Sequence, residues 1–169
     1  MLTLLNIQNF ATIDRLQVEF SNGFNVLTGE TGAGKSIIID AVGLLLGDRA
    51  RPELIRADAD EASVEALVDL SDSPAVLQRL VSEGFAEGEE LLIRRTINRS
   101  GKNRVYLNGN LATLSQLQTI AADLMVIYGQ HEQQQLQRSS AHLDMLDRYA
   151  GLDDEVSACA ALYVDVRDL

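Results

Sequence analysis

The sequence has one cysteine, Cys159, two prolines, two histidines and no tryptophan in 169 residues. A lone cysteine cannot form an internal disulfide, so a disulfide-stapled scaffold is excluded and a reducing compartment, the cytoplasm, is the expectation. Long apolar runs are missing too. The longest, Ile37 to Leu46, is broken by Asp40 and falls well short of the roughly 20 residues of a membrane span. The opening MLTLLNIQNF has neither a basic start nor a usable apolar stretch, so it does not read as a secretory leader. Positive charge is scarce: 14 Lys and Arg against 25 Asp and Glu give a net charge of −11. That balance argues against a general nucleic-acid-binding surface and leaves room only for a local basic patch. What is present, 46% hydrophobic and 23% charged residues, is an ordinary globular composition that excludes a disordered or collagenous chain.

The first 28 residues alternate as short strands do, with Leu2, Leu4 and Ile7, then Leu16, Val18 and Phe20, then Phe24, Val26 and Thr28 after a Ser21-Asn22-Gly23 turn. At Gly29 the pattern changes to a glycine-rich loop. SIIIDAVGLLL follows, long enough for a three-turn helix, with Gly47 as its stop. Asp48 to Glu61 reads as a polar surface excursion, and Ala62 to Leu70 as a strand. Ser73-Pro74 is a helix start, with Ser as N-cap and Pro in the first turn, and Gly84 ends that helix. Glu90 to Asn98 and Asn103 to Asn108 flank Arg99-Ser100-Gly101-Lys102 at hairpin spacing. A Thr113 to Gln116 capping box opens a short helix, and Leu124-Met125-Val126-Ile127 reads as a compact apolar strand. Helical runs follow from Ala141 to Tyr149 and from Asp153 to Leu169, the last ending without a cap as though the natural chain continued. Neither repeats nor Pro/Ser-rich linkers mark a domain boundary before about Gly151.

Gly29-Glu30-Thr31-Gly32-Ala33-Gly34-Lys35-Ser36 is a full G-x-x-x-x-G-K-[ST] match between an expected strand and an expected helix. Its glycines let the backbone curl so that several N–H groups point at phosphate oxygens, and the helix adds its positive N-terminal end. Lys35, one of only two lysines in the chain, reaches the β and γ phosphates in such a loop, and the Ser36 hydroxyl ligates Mg²⁺. Hydrolysis also requires a Mg²⁺-binding acid after a hydrophobic strand. Leu124 to Ile127 is followed by Tyr128-Gly129-Gln130, not by an acid, and Asp69 is the other candidate. The residues therefore point to an α/β P-loop fold with a mixed sheet and a β-rich flank.

Several separated segments share a further likeness: Leu4 to Ala11, Thr28 to Ser36, Ile39-Asp40-Ala41 with Leu44 to Gly47, Leu54-Ile55-Arg56, Tyr106-Leu107-Asn108-Gly109, and Ile127 to Leu136. In this order they resemble the N-terminal head segment of SMC-like ATPases, and most closely the bacterial DNA-repair members, from Leu2 to about Tyr149. The resemblance implies an ABC/SMC-type head, with residues 1–150 as its N-terminal half and 151–169 as the start of a coiled-coil arm. It implies ATP and Mg²⁺ as ligands, Gln130 reaching the metal and the attacking water, Arg56 approaching the nucleotide phosphates, and Asn9 to Thr12 near the adenine. The Walker B acidic pair and the signature motif of that family lie in a later segment that this sequence does not contain. The implied partners are that C-terminal head segment, a second head in an ATP-dependent dimer, and DNA bound by the complete protein; no membrane is implied, and the implied location is the bacterial cytoplasm and nucleoid.

Two other readings stay open: a self-contained small P-loop kinase or NTPase using Asp69, and a non-enzymatic association module gated by nucleotide. His131 reads as a polar loop histidine. Arg94, Arg95, Arg99, Lys102 and Arg104 gather on the expected hairpin, where they either contact DNA phosphates or form a solvated hairpin with adjacent arginines on opposite faces.

Overall fold

The computed structural model describes residues 1–29, 34–85, 88–122, 124–125, 127, 143, 146–147 and 149–167. The chain divides into two compact units, Met1–Val126 and Ile127–Leu169.

The first unit is built on one six-stranded sheet in the order β2-β1-β3-β4-β5-β6. Its strands are β1 (Leu2–Phe10), β2 (Ile13–Glu19), β3 (Glu61–Asp69), β4 (Glu90–Asn98), β5 (Asn103–Leu107) and β6 (Asn110–Ala112). Every pairing among them is antiparallel. The parallel pairings of the expected mixed sheet are not among these described strands. Phe24 to Thr28, expected as a strand, has no strand structure. Alternation alone does not make a strand, which needs a partner for its N–H and C=O groups, and here Phe24 is 94% exposed. Leu124, Met125 and Ile127 are likewise outside any strand.

Period-two patterning decides which sheet face is covered. Leu5 and Ile7, Val64, Ala66 and Val68, and Leu91, Ile93 and Ile97 are all buried on one face, each large side chain contributing about 1.5–3 kcal/mol of apolar burial. Against this face lies α1 (Lys35–Leu45), through Ala41, Leu44 and Leu45. Two further helices, α2 (Pro74–Ser82) and α3 (Leu114–Ala121), add Val76, Leu80, Leu117 and Ile120 to the same core. The start of α3 is the expected capping box: the Gln116 N–H donates to Thr113 Oγ1 at 3.2 Å and the Thr113 N–H to Gln116 Oε1 at 2.9 Å. Ser73 precedes α2 as expected but makes no capping hydrogen bond through its side chain.

The hairpins follow their turn residues. Asn108 (φ 47°) and Gly109 (φ 79°) both take left-handed backbone between Leu107 and Asn110, as a type I′ turn requires. Asn108 also reaches back across the sheet: its Oδ1 accepts from the Leu92 N–H at 2.7 Å and its Nδ2 donates to the Phe85 carbonyl at 2.8 Å. The second unit contains α4 (Asp153–Arg167), fifteen residues long, within the helical run expected there. No helix among the described residues is long and apolar enough to cross a membrane.

Candidate functional site

Gly34 takes a left-handed φ of 88° just before α1, with open space where a Cβ would stand. Among the described residues no side chain caps this helix, and no acidic residue lies in its first turn. The amides of the first turn, which an α-helix leaves without intrahelical acceptors, are thus not neutralised by an acid of their own turn. Lys35 Nζ donates to the Gly29 carbonyl, so the ammonium closes the loop from one end to the other. Ser36 is exposed in the first turn. Glu30, Thr31, Gly32 and Ala33 lie outside the described residues.

Facing this helix start is the turn between β1 and β2. Thr12 to Leu16 on one side and Gly34 and Ile38 on the other line an open groove of about 410 Å³, a volume within the range of small-ligand sites. The turn itself is strained: Asn9 and Ala11, neither a glycine, have φ of 53° and 51°, a conformation rarely adopted by a residue such as alanine. Residues 54–56 hold it there. The Ala11 N–H donates to the Leu54 carbonyl at 2.7 Å, and the Arg56 N–H to the Asn9 carbonyl at 2.9 Å. Ile55, buried, bridges to Phe10.

Arg56 is therefore brought to the same turn that walls the groove. Its Nη1 donates to the Thr12 carbonyl at 3.4 Å and its Nε to Asp58 Oδ1 at 2.7 Å. The hydrogen bond from Arg56 holds the Asp58 carboxyl below its ordinary value, and the same bond raises the Arg56 guanidinium.

Asp69 is elsewhere. It ends β3, six residues beyond Ser63, which is level with Gln8, and so lies about 20 Å along the strand from that level. Its N–H donates there to the Met1 carbonyl at 2.8 Å, and its Oδ1 accepts from the Ser71 N–H at 2.9 Å. An antiparallel β1–β3 pair puts the end of β3 beside the start of β1, opposite the Thr12 turn, so Asp69 does not join the P-loop. Gln130 and His131 lie outside the described residues.

Two arginines matter here beyond what the motifs flagged. Arg95, 1% exposed, donates from Nη1 to the carbonyls of Leu44 and Asp48 at 2.7 and 2.6 Å. Burial lowers its guanidinium from the ordinary value and the charge of Asp48 opposes that. Its neighbour Arg94 points to the other sheet face, 4.7 Å over the Tyr106 ring. The parity of Leu91, Ile93 and Ile97 was the available signal, since Arg95 falls in the same inward register. The second is Arg99, whose guanidinium bonds the carbonyls of Arg56, Ala57 and Ala59. Of the arginine-rich hairpin, then, Arg95 and Arg99 are committed to main-chain carbonyls.

Comparison with known proteins bears on the family and the fold. An AAA domain family model matches residues 4–157. A DNA repair protein RecN from Vibrio cholerae serotype O1 is 41% identical over 99% of this chain, which spans 30% of that protein. A RecN from Bacillus subtilis strain 168 is 44% identical over 92% of this chain, covering 27% of its own length. Among solved structures, an Smc head domain with an extended coiled coil from Pyrococcus furiosus superposes with a TM-score of 0.65, covering 99% of this chain and 50% of that one at 21% identity; the likeness is one of fold. The α/β P-loop head architecture expected from the sequence is thus the one found. The chain belongs to the AAA domain family, and within it is similar to the RecN DNA repair proteins over less than a third of their length.

Proposed function

We propose that this chain is the ATP-binding N-terminal part of an SMC-like ATPase head acting in recombinational repair of DNA double-strand breaks. The observation that carries the reading is the left-handed Gly34 opening α1 across a shared groove from the Thr12–Leu16 turn, in a chain so similar to RecN.

The donor set fits a nucleoside triphosphate with a divalent cation. First-turn amides of α1, the Lys35 ammonium and the Ser36 hydroxyl supply anion donors and a hard oxygen ligand within one loop. Gly29 to Ser36 would wrap the phosphates, with Lys35 exchanging the Gly29 carbonyl for phosphate oxygens. Ser36 and Gln130 would hold Mg²⁺, which when bound neutralises phosphate charge. Arg56 would turn from Asp58 toward the phosphates, and Gln130 would also orient the attacking water.

Nothing in this sequence supplies the Walker B acid or the signature motif, so hydrolysis requires the C-terminal head segment. On this reading residues 1–150 are the N-terminal half of the head, 151–169 begin the coiled-coil arm, two heads join around ATP, and the complete protein engages DNA on the bacterial nucleoid.

The test is an equilibrium titration with ATP and Mg²⁺. Lys35→Ala is expected to weaken ATP binding at least tenfold, roughly the loss of a charge-assisted contact, and Ser36→Ala to remove the Mg²⁺ dependence. Wild-type affinity in both variants sinks the reading.

A further inference from the structure

Arg99, the first residue after β4, sits against a turn on the neighbouring segment. Its Nε donates to the Ala59 carbonyl at 2.7 Å, and its Nη2 to the carbonyls of Arg56 and Ala57 at 2.8 and 3.0 Å. Its own N–H donates to the Asp60 carbonyl at 3.0 Å. Three carbonyls from residues 56–59 thus converge on one guanidinium, an arrangement that suits the planar fork of arginine and that a single ammonium cannot reproduce. The turn has one internal hydrogen bond of its own here, from the Ala59 N–H to the Arg56 carbonyl at 3.1 Å, so that carbonyl is shared between turn and clamp.

The consequence falls on Arg56. Its N–H is bound by Asn9 and its carbonyl by Arg99, so the backbone is gripped on both sides. Only the side chain, held by exposed Asp58 and the Thr12 carbonyl, has room to swing. Fixing the backbone of an otherwise irregular loop removes conformational freedom that binding would have to remove.

We propose that Arg99 is a positioning residue for the nucleotide site: it fixes the 56–59 turn so that Arg56 is presented to the nucleotide phosphates. This deepens the function proposed above and rests on Arg56 as the phosphate-facing arginine. It also gives the hairpin a role in the site through main-chain contacts, without any ligand touching Arg99.

The test combines ATP·Mg²⁺ titration of this chain with amide hydrogen exchange in Arg99→Met, Arg56→Ala and the double variant. Arg99→Met is expected to weaken ATP about tenfold and to speed exchange at the Ala59 amide. In the Arg56→Ala background it is expected to cost nothing further, because a residue acting through Arg56 is not additive with its loss. Arg99→Lys, keeping the charge, should fall between Met and wild type, and it carries the test if the Met variant fails to fold. Lys102→Ala on the same hairpin is the control and should bind ATP as wild type does. Losses that multiply in the double variant, or an Arg99→Met affinity equal to wild type, overturn the proposal. If Ala59 exchange rises in Arg99→Met while Arg56→Ala binds ATP normally, the Arg56 reading has failed; the clamp is then structural only and the proposal falls with it. Unchanged Ala59 exchange in Arg99→Met overturns the clamp itself.

Discussion

Arg95 on β4 donates a 2.7 Å hydrogen bond to the carbonyl of Leu44 in the last turn of α1. The opposite end of that helix is the glycine-rich loop, so one buried cation fastens the loop's helix to the middle of the sheet. A positive charge at a helix C-terminus also meets the negative end of the helix dipole. The second bond, to Asp48, extends the anchor just past the helix, while Nε has no hydrogen-bond partner among the described residues.

Arg95→Met keeps much of the volume, takes the donor from the Asp48 carbonyl and leaves the Leu44 carbonyl only the 3.2 Å bond from the Gly47 N–H. The expected loss is about 2–4 kcal/mol, as for a buried charged donor removed from its acceptors. Urea denaturation measures it, and a loss under about 0.5 kcal/mol, the range of ordinary surface changes, contradicts the anchor.

Asn108 combines a left-handed φ of 47° with three side-chain bonds, the third a long one of 3.5 Å from Nδ2 to the Glu90 carbonyl. The variants Asn108→Gly and Asn108→Ala separate these contributions. Glycine relieves the backbone and loses only the bonds, about 1–2 kcal/mol, whereas alanine adds roughly 1 kcal/mol of strain. Equal stability of the two in thermal or urea melts would show that the turn conformation contributes nothing.

Lys35→Ala and Asp69→Asn discriminate between the head reading and a self-contained NTPase. The first should abolish most ATP binding; the second should leave Mg²⁺-dependent binding within about twofold, since Asp69 is about 20 Å along β3 from the Ser63 level. A Mg²⁺ requirement lost in Asp69→Asn would reverse this assignment.

Acid should weaken the fold through Asp58 and Asp69. Both carboxyls lie below the ordinary 3.8, Asp58 by its bond from Arg56 and Asp69 by the Ser71 N–H. A depressed carboxyl binds its proton less readily when folded, so its stabilisation is complete above that ordinary value and is lost as pH falls through the folded value. Urea midpoints from pH 5 down to about 2 should fall less steeply in Asp58→Asn and Asp69→Asn than in wild type. Identical slopes would remove both groups from the acid response.

The sequence made α1, the hairpins and the capping box legible because each rests on local chemistry: a glycine loop, turn residues, a Thr and a Gln three apart. Phe24 to Thr28 misled because alternation reports a preference for faces while strand formation depends on a partner elsewhere. Arg95 was hidden by residue type, an arginine in a register otherwise filled by Leu91, Ile93 and Ile97. Arg99 was hidden by distance, since its acceptors lie some forty residues earlier. Asp69 looked like a candidate acid because sequence shows that it ends a strand, not which end of the sheet that is.

The loop, α1 and Arg56 all lie within residues 20–60, the connection between β2 and β3. The hairpins β1–β2 and β4–β5–β6 close over a few residues, whereas pairing β1 with β3 must close over this whole segment. Loop closure of that kind is the slow kind of contact in folding. The groove, with one wall on β1–β2 and the other on α1, is therefore expected to be among the last features to form. Folding to completion and becoming competent to hold a ligand would then be a single late event.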